Sequence, residues 1–418
     1  MKGSPSAAGR RYLLATLLWC GAALAVKPFY PYLDFGVFFS AAIEKILAGA
    51  PLDIYSFGAY APGSRLALPL TYPPASFFFQ APWYALGRLL GIRDFHQSSG
   101  FSLGQAWMLL MSLPFDVLLC RETVRLVERI RGPLPEPGRW VLFVSLLYSP
   151  LLWLSSVRYG HNEAMMILMM LLAIHQGEEG NPARSGLFWG LALSLKMTAL
   201  VPALIFFGWG MGRGRMRKIS ISAAVGGATF LLPLLPYLML RWEPTWHALV
   251  GFEVIRPVGG YVLWKVVPYA LRLAGLSGPL ILIGSAMLGV FLARRGGAGF
   301  LAAGGAQALV LGQVLLLVLG KAIFVWYGLS LGVLCYLAFP AAAEDRHLLP
   351  WWPLAVNLLL WLTQAGGWVG EAISPLIRAR SALWVVFLLA MGSFAALELF
   401  RVTRQREPVA LMGPRREA

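Results

Sequence analysis

The chain has 418 residues, 58% of them hydrophobic and only 13% charged, where a water-soluble domain carries roughly a quarter. This composition excludes a soluble enzyme and indicates a polytopic membrane protein. The net charge of +16 would suit nucleic acid, but the arginines stand in short clusters between apolar runs, as in inside loops of membrane proteins, so no nucleic-acid partner is expected.

Apolar segments of near-spanning length recur from Tyr12 to Arg401, each close to the ~20 residues that cover a hydrocarbon core of about 30 Å. The charged start MKGSPSAAGRR and the run YLLATLLWCGAALAV have the outline of a signal peptide. No small-residue cleavage site precedes the polar loop, so Tyr12 to Val26 is expected to stay as the first helix, stopped by Pro28 and Pro31. Beyond Asp34, Phe35, Phe38, Phe39, Ala42, Ile43, Ile46 and Leu47 share one helical face, while Ser40, Glu44 and Lys45 lie opposite. This spacing predicts an interfacial helix capped by Asp34, ended by Gly49 and wet on the Glu44 side. From Ala50 to Thr71, glycine, proline, tyrosine and serine predict an ordered surface loop, with Asp53 as a turn residue.

Residues Tyr72 to Leu90 are apolar but carry Pro73, Pro74 and Pro82, which suits a short re-entrant helix as well as a crossing. The arginine clusters decide between them. Placing the N-terminus, Arg121 to Arg139, Arg213 to Lys218, Arg294 with Arg295, Glu344 to His347 and Arg401 to Arg406 on the cytoplasmic side requires that 72–90 does not cross. It also requires that 185–209 bends near Lys196. Crossings are then expected near 101–121, 139–156, 162–176, 185–196, 198–210, 219–240, 278–293, 299–319, 322–340, 349–365 and 381–400. The expected fold is all-α, with roughly 10–13 transmembrane helices. The expected organisation is a single integral membrane domain over 1–418: a first helix (1–26), an extracytoplasmic loop (27–100), a helical core (101–240), a second extracytoplasmic segment (241–277), and C-terminal helices with a short cytoplasmic tail (278–418).

Charges at a membrane edge are costly, and each admits two readings. Asp34 is a helix cap, or a general base where a lipid-borne substrate arrives. Arg158, His161, Asn162 and Glu163 form a polar turn, or part of a site. Lys196, in GLALSLKMTALVPAL, and Lys321, in LVLGKAIFVWYGLSLG, either snorkel or bind an anion. Arg256, Lys265 and Arg272 suit an interfacial helix with snorkelling cations. As a set, a carboxylate with several cations on one face suits an anionic lipid phosphate beside a general base. Cys20, Cys120 and Cys335 all sit in apolar segments and read as small buried hydrophobes. The chain has no Walker loop, dinucleotide fingerprint, nucleophile elbow or Cys/His metal spacing, so no metal ligands are assigned.

LDFGVFFSAAIEKILAGAPLDIY followed by YPPASFFFQAPW resembles the first extracytoplasmic loop of GT-C-fold mannosyltransferases that use polyprenyl or dolichyl phosphate mannose. SPLLWLSSVRYGHNEAMMILMMLLAI, GLALSLKMTALVPAL and KAIFVWYGLSLGVLCYLAF resemble three later landmarks of that group. The likeness spans about residues 30–340, and its nearest relatives in pattern are the bacterial phosphatidylinositol-mannoside type and the catalytic subunit of the first glycosylphosphatidylinositol mannosyltransferase.

The resemblance implies an inverting hexose transfer, with mannose as the sugar, from a polyprenyl phosphate donor to a lipid or glycan acceptor, in the cell (inner) membrane with the active site on its extracytoplasmic face. Asp34 matches the base. Lys196 and Arg158 match basic positions, with His161, Lys321 and Tyr72 as further donor-phosphate or substrate contacts and Asn162, Glu163, Arg256 and Lys265 behind them. Some relatives have Asp-x-Asp where this chain has Tyr32-Leu33-Asp34, so a bridging divalent metal lacks a complete motif and no cofactor is assigned. A carrier or flippase for an anionic lipid, or an assembly subunit whose site has lapsed, stays open beside the transferase.

Overall fold

A computed structural model of the protein describes residues 7–29, 39–56, 58–60, 67–69, 72–97, 100–158, 162–251, 259–260, 276–294, 299–320, 322–323, 328–338 and 375–404. The expected crossing at 349–365 lies outside them.

The chain is built from helices that turn back on one another: α1 (Ala7–Val26), α2 (Ser40–Leu47), α3 (Pro74–Leu89), α4 (Leu103–Arg131), α5 (Glu136–Leu147), the single turn α6 (Pro150–Leu152), α7 (Glu163–Glu178), α8 (Pro182–Leu195), α9 (Leu200–Gly212), α10 (Met216–Leu240), the short α11 (Trp242–Trp246), α12 (Ser277–Ala293), α13 (Gly305–Leu319), α14 (Gly328–Ala338) and α15 (Pro375–Arg404). Local sequence sets the boundaries. Proline occupies the first turn of α3, α5, α6 and α8, where its missing N–H costs nothing. Ser102 caps α4, its hydroxyl accepting from the Gln105 amide at 3.2 Å, and Gly132 ends that helix at φ 88°. Two short ribbons complete the helical fold. β1 (Gly58–Tyr60) pairs antiparallel with β2 (Ala67–Pro69), and β3 (Gly259–Gly260) pairs parallel with β4 (Ala322–Ile323).

Among the described residues, four helical segments are long and apolar enough to cross a membrane: Ala8–Phe29, Leu103–Arg131, Glu136–Val157 and Met216–Leu240. Shorter apolar stretches of helix lie at Met197–Gly212, Ser277–Ala293, Gly305–Leu319, Gly328–Ala338 and, within α15, Trp384–Phe400. Leu13, Leu14, Leu17 and Leu18 on α1, Leu231, Leu232 and Leu235 on α10, and Ile283 and Met287 on α12 form an exposed apolar surface suited to lipid.

Contacts sort the turns onto two ends. At the upper end the Ser102 amide donates to the Pro28 carbonyl at 2.8 Å, joining the exit of α1 to the start of α4. At the lower end Arg131 donates to the Tyr336 carbonyl at 3.4 Å and Gln307 to the Ala338 carbonyl at 2.7 Å, joining the exits of α4 and α14 near the start of α13. The main core fills the bundle around Trp189, Phe206, Trp209, Phe300, Leu309 and Leu334. A smaller core at the upper end collects Phe39, Ile43, Tyr55, Phe77, Tyr84, Phe95 and Tyr237 beneath α2 and α3.

α3 lies against only the first part of α4. Phe79 meets Phe115, Trp83 stacks on Trp107 at 4.6 Å, and the two indole N–H groups each donate to the other residue's carbonyl, at 2.7 and 2.9 Å. The helix therefore runs beside the Trp107–Phe115 part of α4. The bend expected near Lys196 is also present. α8 stops at Leu195, Lys196 is extended at φ −161° and ψ 130°, and a 3-10 turn at Met197–Ala199 leads into α9.

Close backbone packing joins α8 to α10. A Cβ on Gly186 would lie 2.2 Å from the Ser222 carbonyl oxygen, and one on Gly190 would lie 2.6 Å from that of Gly226. Gly186 and Gly190 make a small-xxx-small seam that lets the two backbones touch. Gly186→Leu is accordingly expected to destabilise the protein by about 1–3 kcal/mol or more through forced separation of the helices. Thermal unfolding in detergent measures this, with Gly227→Leu, at a position open for 4 Å around a built Cβ, as the mild control.

Candidate functional site

The polar groups at the upper end are assembled by helix termini and by the break between α8 and α9. Glu163 opens α7 and is 1% exposed, and Lys196 sits in the extended link at 6%. Residues 33 positions apart in sequence thus meet, and the Lys196 ammonium pairs with Glu163 Oε1. The Tyr72 ring lies 5.9 Å from Lys196 Nζ, within cation–π range, and the Tyr72 carbonyl accepts from the Tyr55 hydroxyl at 2.7 Å. Beside them Gln80 Nε2 donates to Asn162 Oδ1 at 3.2 Å.

Gln80 and Asn162 line a small cavity of about 20 Å³ with Lys27, Gln105 and Ser112, enough for about one water. Lys27 is 2% exposed. The Asn162 Nδ2 group has no hydrogen-bond partner among the described residues, so the cavity presents a buried donor. Structure thus brings Tyr72, Asn162, Glu163 and Lys196 together and adds Lys27, Gln80 and Gln105, which the reading of the sequence left out. Lys27 adjoins the end of the first helix, and the two glutamines lie in apolar helices, where a buried polar side chain is itself a signal.

Arg158 ends a π-helical stretch, Trp153–Arg158, at the same end; its side chain lies outside what is described. Asp34, His161, Arg256, Lys265 and Lys321 lie outside the described residues, as does the expected cap at Asp34. Within the described part, α2 begins at Ser40 with Phe39 in the cap position and no side-chain cap.

A second polar residue missed from sequence is Asp116. It is 0% exposed in the middle of α4, and the Ser156 hydroxyl donates to its Oδ1 at 2.8 Å. Its Oδ2 has no hydrogen-bond partner among the described residues. The bond ties α4 to the π-helical turn that leads to Arg158 and Asn162. Such turns are frequent at functional sites, and an intramembrane carboxylate is itself a signal.

Glu44 corrects an expectation. Far from facing water alone, its Oε1 accepts from Tyr84 at 2.8 Å and from Arg88 at 2.6 Å, and His96 Nε2 lies 2.9 Å away. The reason is tertiary: α3 and the turn at 94–96 fold over the polar side of α2, with the Ser40 hydroxyl 3.1 Å from His96 Nδ1. Burial pushes the Glu44 carboxyl up, but the hydrogen bonds from His96 and Tyr84 and the charges of His96 and Arg88 outweigh it and hold the carboxyl below its usual range. A depressed folded value means that this tie is fully present above the unfolded carboxylate value of about 4.3 and is lost as pH falls through the lower folded value. Hydrogen exchange of α2 is therefore expected to quicken only below about pH 4, and Glu44→Gln to remove that acid transition.

The arrangement offers a buried ammonium held by Glu163 and a buried amide donor, Asn162 Nδ2, at the upper end of the bundle. Such groups can hold an anionic oxygen without reorganisation. Among the described residues no group of three or more His, Cys, Asp or Glu side chains could hold a metal ion.

Comparison with known proteins gives three findings. The model of glycosyltransferase family 87 matches residues 70–319, a stretch that contains Tyr72, Gln80, Asn162, Glu163 and Lys196. No curated protein matches the chain. Among solved structures the chain is similar to ArnT from Cupriavidus metallidurans bound to undecaprenyl phosphate, at 13% identity and a TM-score of 0.46, over 94% of this chain and 78% of that one.

Proposed function

From the premise that the chain belongs to glycosyltransferase family 87, we propose that it transfers a hexose, with mannose as the first candidate, from a polyprenyl phosphate to a lipid or glycan acceptor with inversion at the anomeric carbon. The single observation that supports this best is the buried Lys196 ammonium, held by Glu163 and flanked by Tyr72 at the membrane edge.

In this reading the Asp34 carboxylate takes the acceptor hydroxyl proton as that oxygen attacks the anomeric carbon from the face opposite the phosphate. The bond between the anomeric carbon and the phosphate oxygen breaks, and polyprenyl phosphate leaves with both electrons. Lys196 and Arg158 stabilise the charge that grows on the departing phosphate, an interaction stronger in the transition state than before it. Glu163 fixes the Lys196 ammonium in place. His161, Lys321, Arg256 and Lys265 complete the donor side, Asn162 and Gln80 orient it, and 1–418 acts as one integral membrane domain. The site faces outward from the cell membrane, in accord with the basic turns at the opposite end.

The donor class is tested by offering purified protein one sugar on two carriers. Polyprenyl phosphate mannose is expected to be consumed and a nucleotide diphosphate mannose to be left untouched. Use of the nucleotide sugar in the absence of lipid would overturn the reading.

A further inference from the structure

The lower end of the bundle holds a larger cavity, of about 840 Å³, lined by Arg129, Arg215 and Lys218 together with apolar walls from Ile130, Leu301 and Leu337. Its volume falls in the range of small-molecule sites. It lies at the far end of α7 from Glu163, about 22 Å along the helix axis, and shares no residue with the upper site.

The cations come from separate elements: Arg129 from the end of α4, Arg215 from the link between α9 and α10, and Lys218 from the first turn of α10. The two carboxylates that share this cavity are turned to protein partners. Glu178 accepts from the backbone amides of Phe300 and Leu301, and Glu179 meets His175 at 3.0 Å and Arg129 at 3.7 Å. Arg215 is braced over the Trp209 ring at 4.9 Å. Lys218 is exposed and makes no ion pair among the described residues, and its Nζ would lie 3.5 Å from a Cβ built on Gly180. It stands in the first turn of α10, a helix that further along carries the exposed Leu231, Leu232 and Leu235, and it lines the cavity.

We infer that this cavity binds a phosphate group, carried by an anionic membrane lipid whose headgroup meets Lys218, Arg215 and Arg129 and whose first acyl carbons lie on Ile130, Leu301 and Leu337. Converging cations beside apolar walls at a membrane edge are what such a headgroup needs, and an inorganic phosphate would satisfy only the cationic half. The inference is independent of the transfer reaction.

Thermal unfolding of the full-length protein in an uncharged detergent tests it, with phosphatidylglycerol, phosphatidylcholine or inorganic phosphate titrated in. Phosphatidylglycerol is expected to raise the melting temperature saturably, with phosphatidylcholine without effect. Lys218→Gln and Arg215→Gln are each expected to weaken apparent affinity about fivefold, and Asp34→Asn to leave it unchanged. Should Arg215→Gln unfold through loss of its stack on Trp209, the exposed Lys218→Gln carries the test alone. An equal saturable shift with inorganic phosphate would keep the phosphate site and overturn the lipid assignment. Absence of any shift with either, or wild-type affinity in Lys218→Gln, would overturn the inference.

Discussion

Lys196→Met is expected to destabilise the folded protein by about 3–5 kcal/mol and to abolish donor use. The stability cost follows from breaking a buried pair by removing one partner, since Glu163 is 1% exposed and paired with the Lys196 ammonium. Glu163→Leu should cost a similar amount, since it breaks the same buried pair. The double variant Lys196→Met with Glu163→Leu is the informative one. Exchanging a whole buried pair for apolar side chains is often neutral or stabilising, so stability should return to near that of the parent while transfer stays absent. Recovery of both stability and transfer in the double variant would show that the pair only packs the break between α8 and α9. Unfolding in detergent and turnover of polyprenyl phosphate mannose measure the two readouts separately.

Asp34→Asn is expected to give the largest loss of rate at unchanged stability. Amide for carboxylate keeps the size of the side chain and removes its basicity, and a positioned general base contributes roughly 10²–10⁴-fold. The loss should appear in kcat with the donor KM little altered, because the base meets the acceptor proton and not the donor phosphate. Lys196 variants should move the donor KM as well, which separates the two roles. Unchanged kcat in Asp34→Asn would remove the proposed base.

Much of the membrane plan was legible because it rests on local signals. The placement of the arginine clusters on one side required a bend near Lys196, and the structure has a break there. Pairing was a different matter. Glu163 and Lys196 are 33 residues apart, and no periodicity links the start of one helix to the end of the next. Glu44 looked wet because its partners, Tyr84, Arg88 and His96, arrive from 40 or more residues away. Asp116 carried a readable signal, a carboxylate inside an apolar run, but its partner Ser156 lies 40 residues away and no local pattern joins them. The seam at Gly186 and Gly190 was present in the spacing too, but small residues become meaningful only once a facing helix is known to touch them.

The family assignment and the buried site converge on one testable act, formation of a glycosidic bond at the expense of a lipid phosphate. The most direct measurement uses detergent-purified protein, polyprenyl phosphate mannose labelled in the sugar, and an extract of lipid acceptors from the same membranes. Label is predicted to move into a new glycolipid whose anomeric configuration is opposite to that of the donor, and to stay on the donor with Asp34→Asn. Label that remains on the polyprenyl phosphate with the wild-type protein, while the intact donor is passed between leaflets of reconstituted vesicles, would contradict the account and assign the chain to lipid transport.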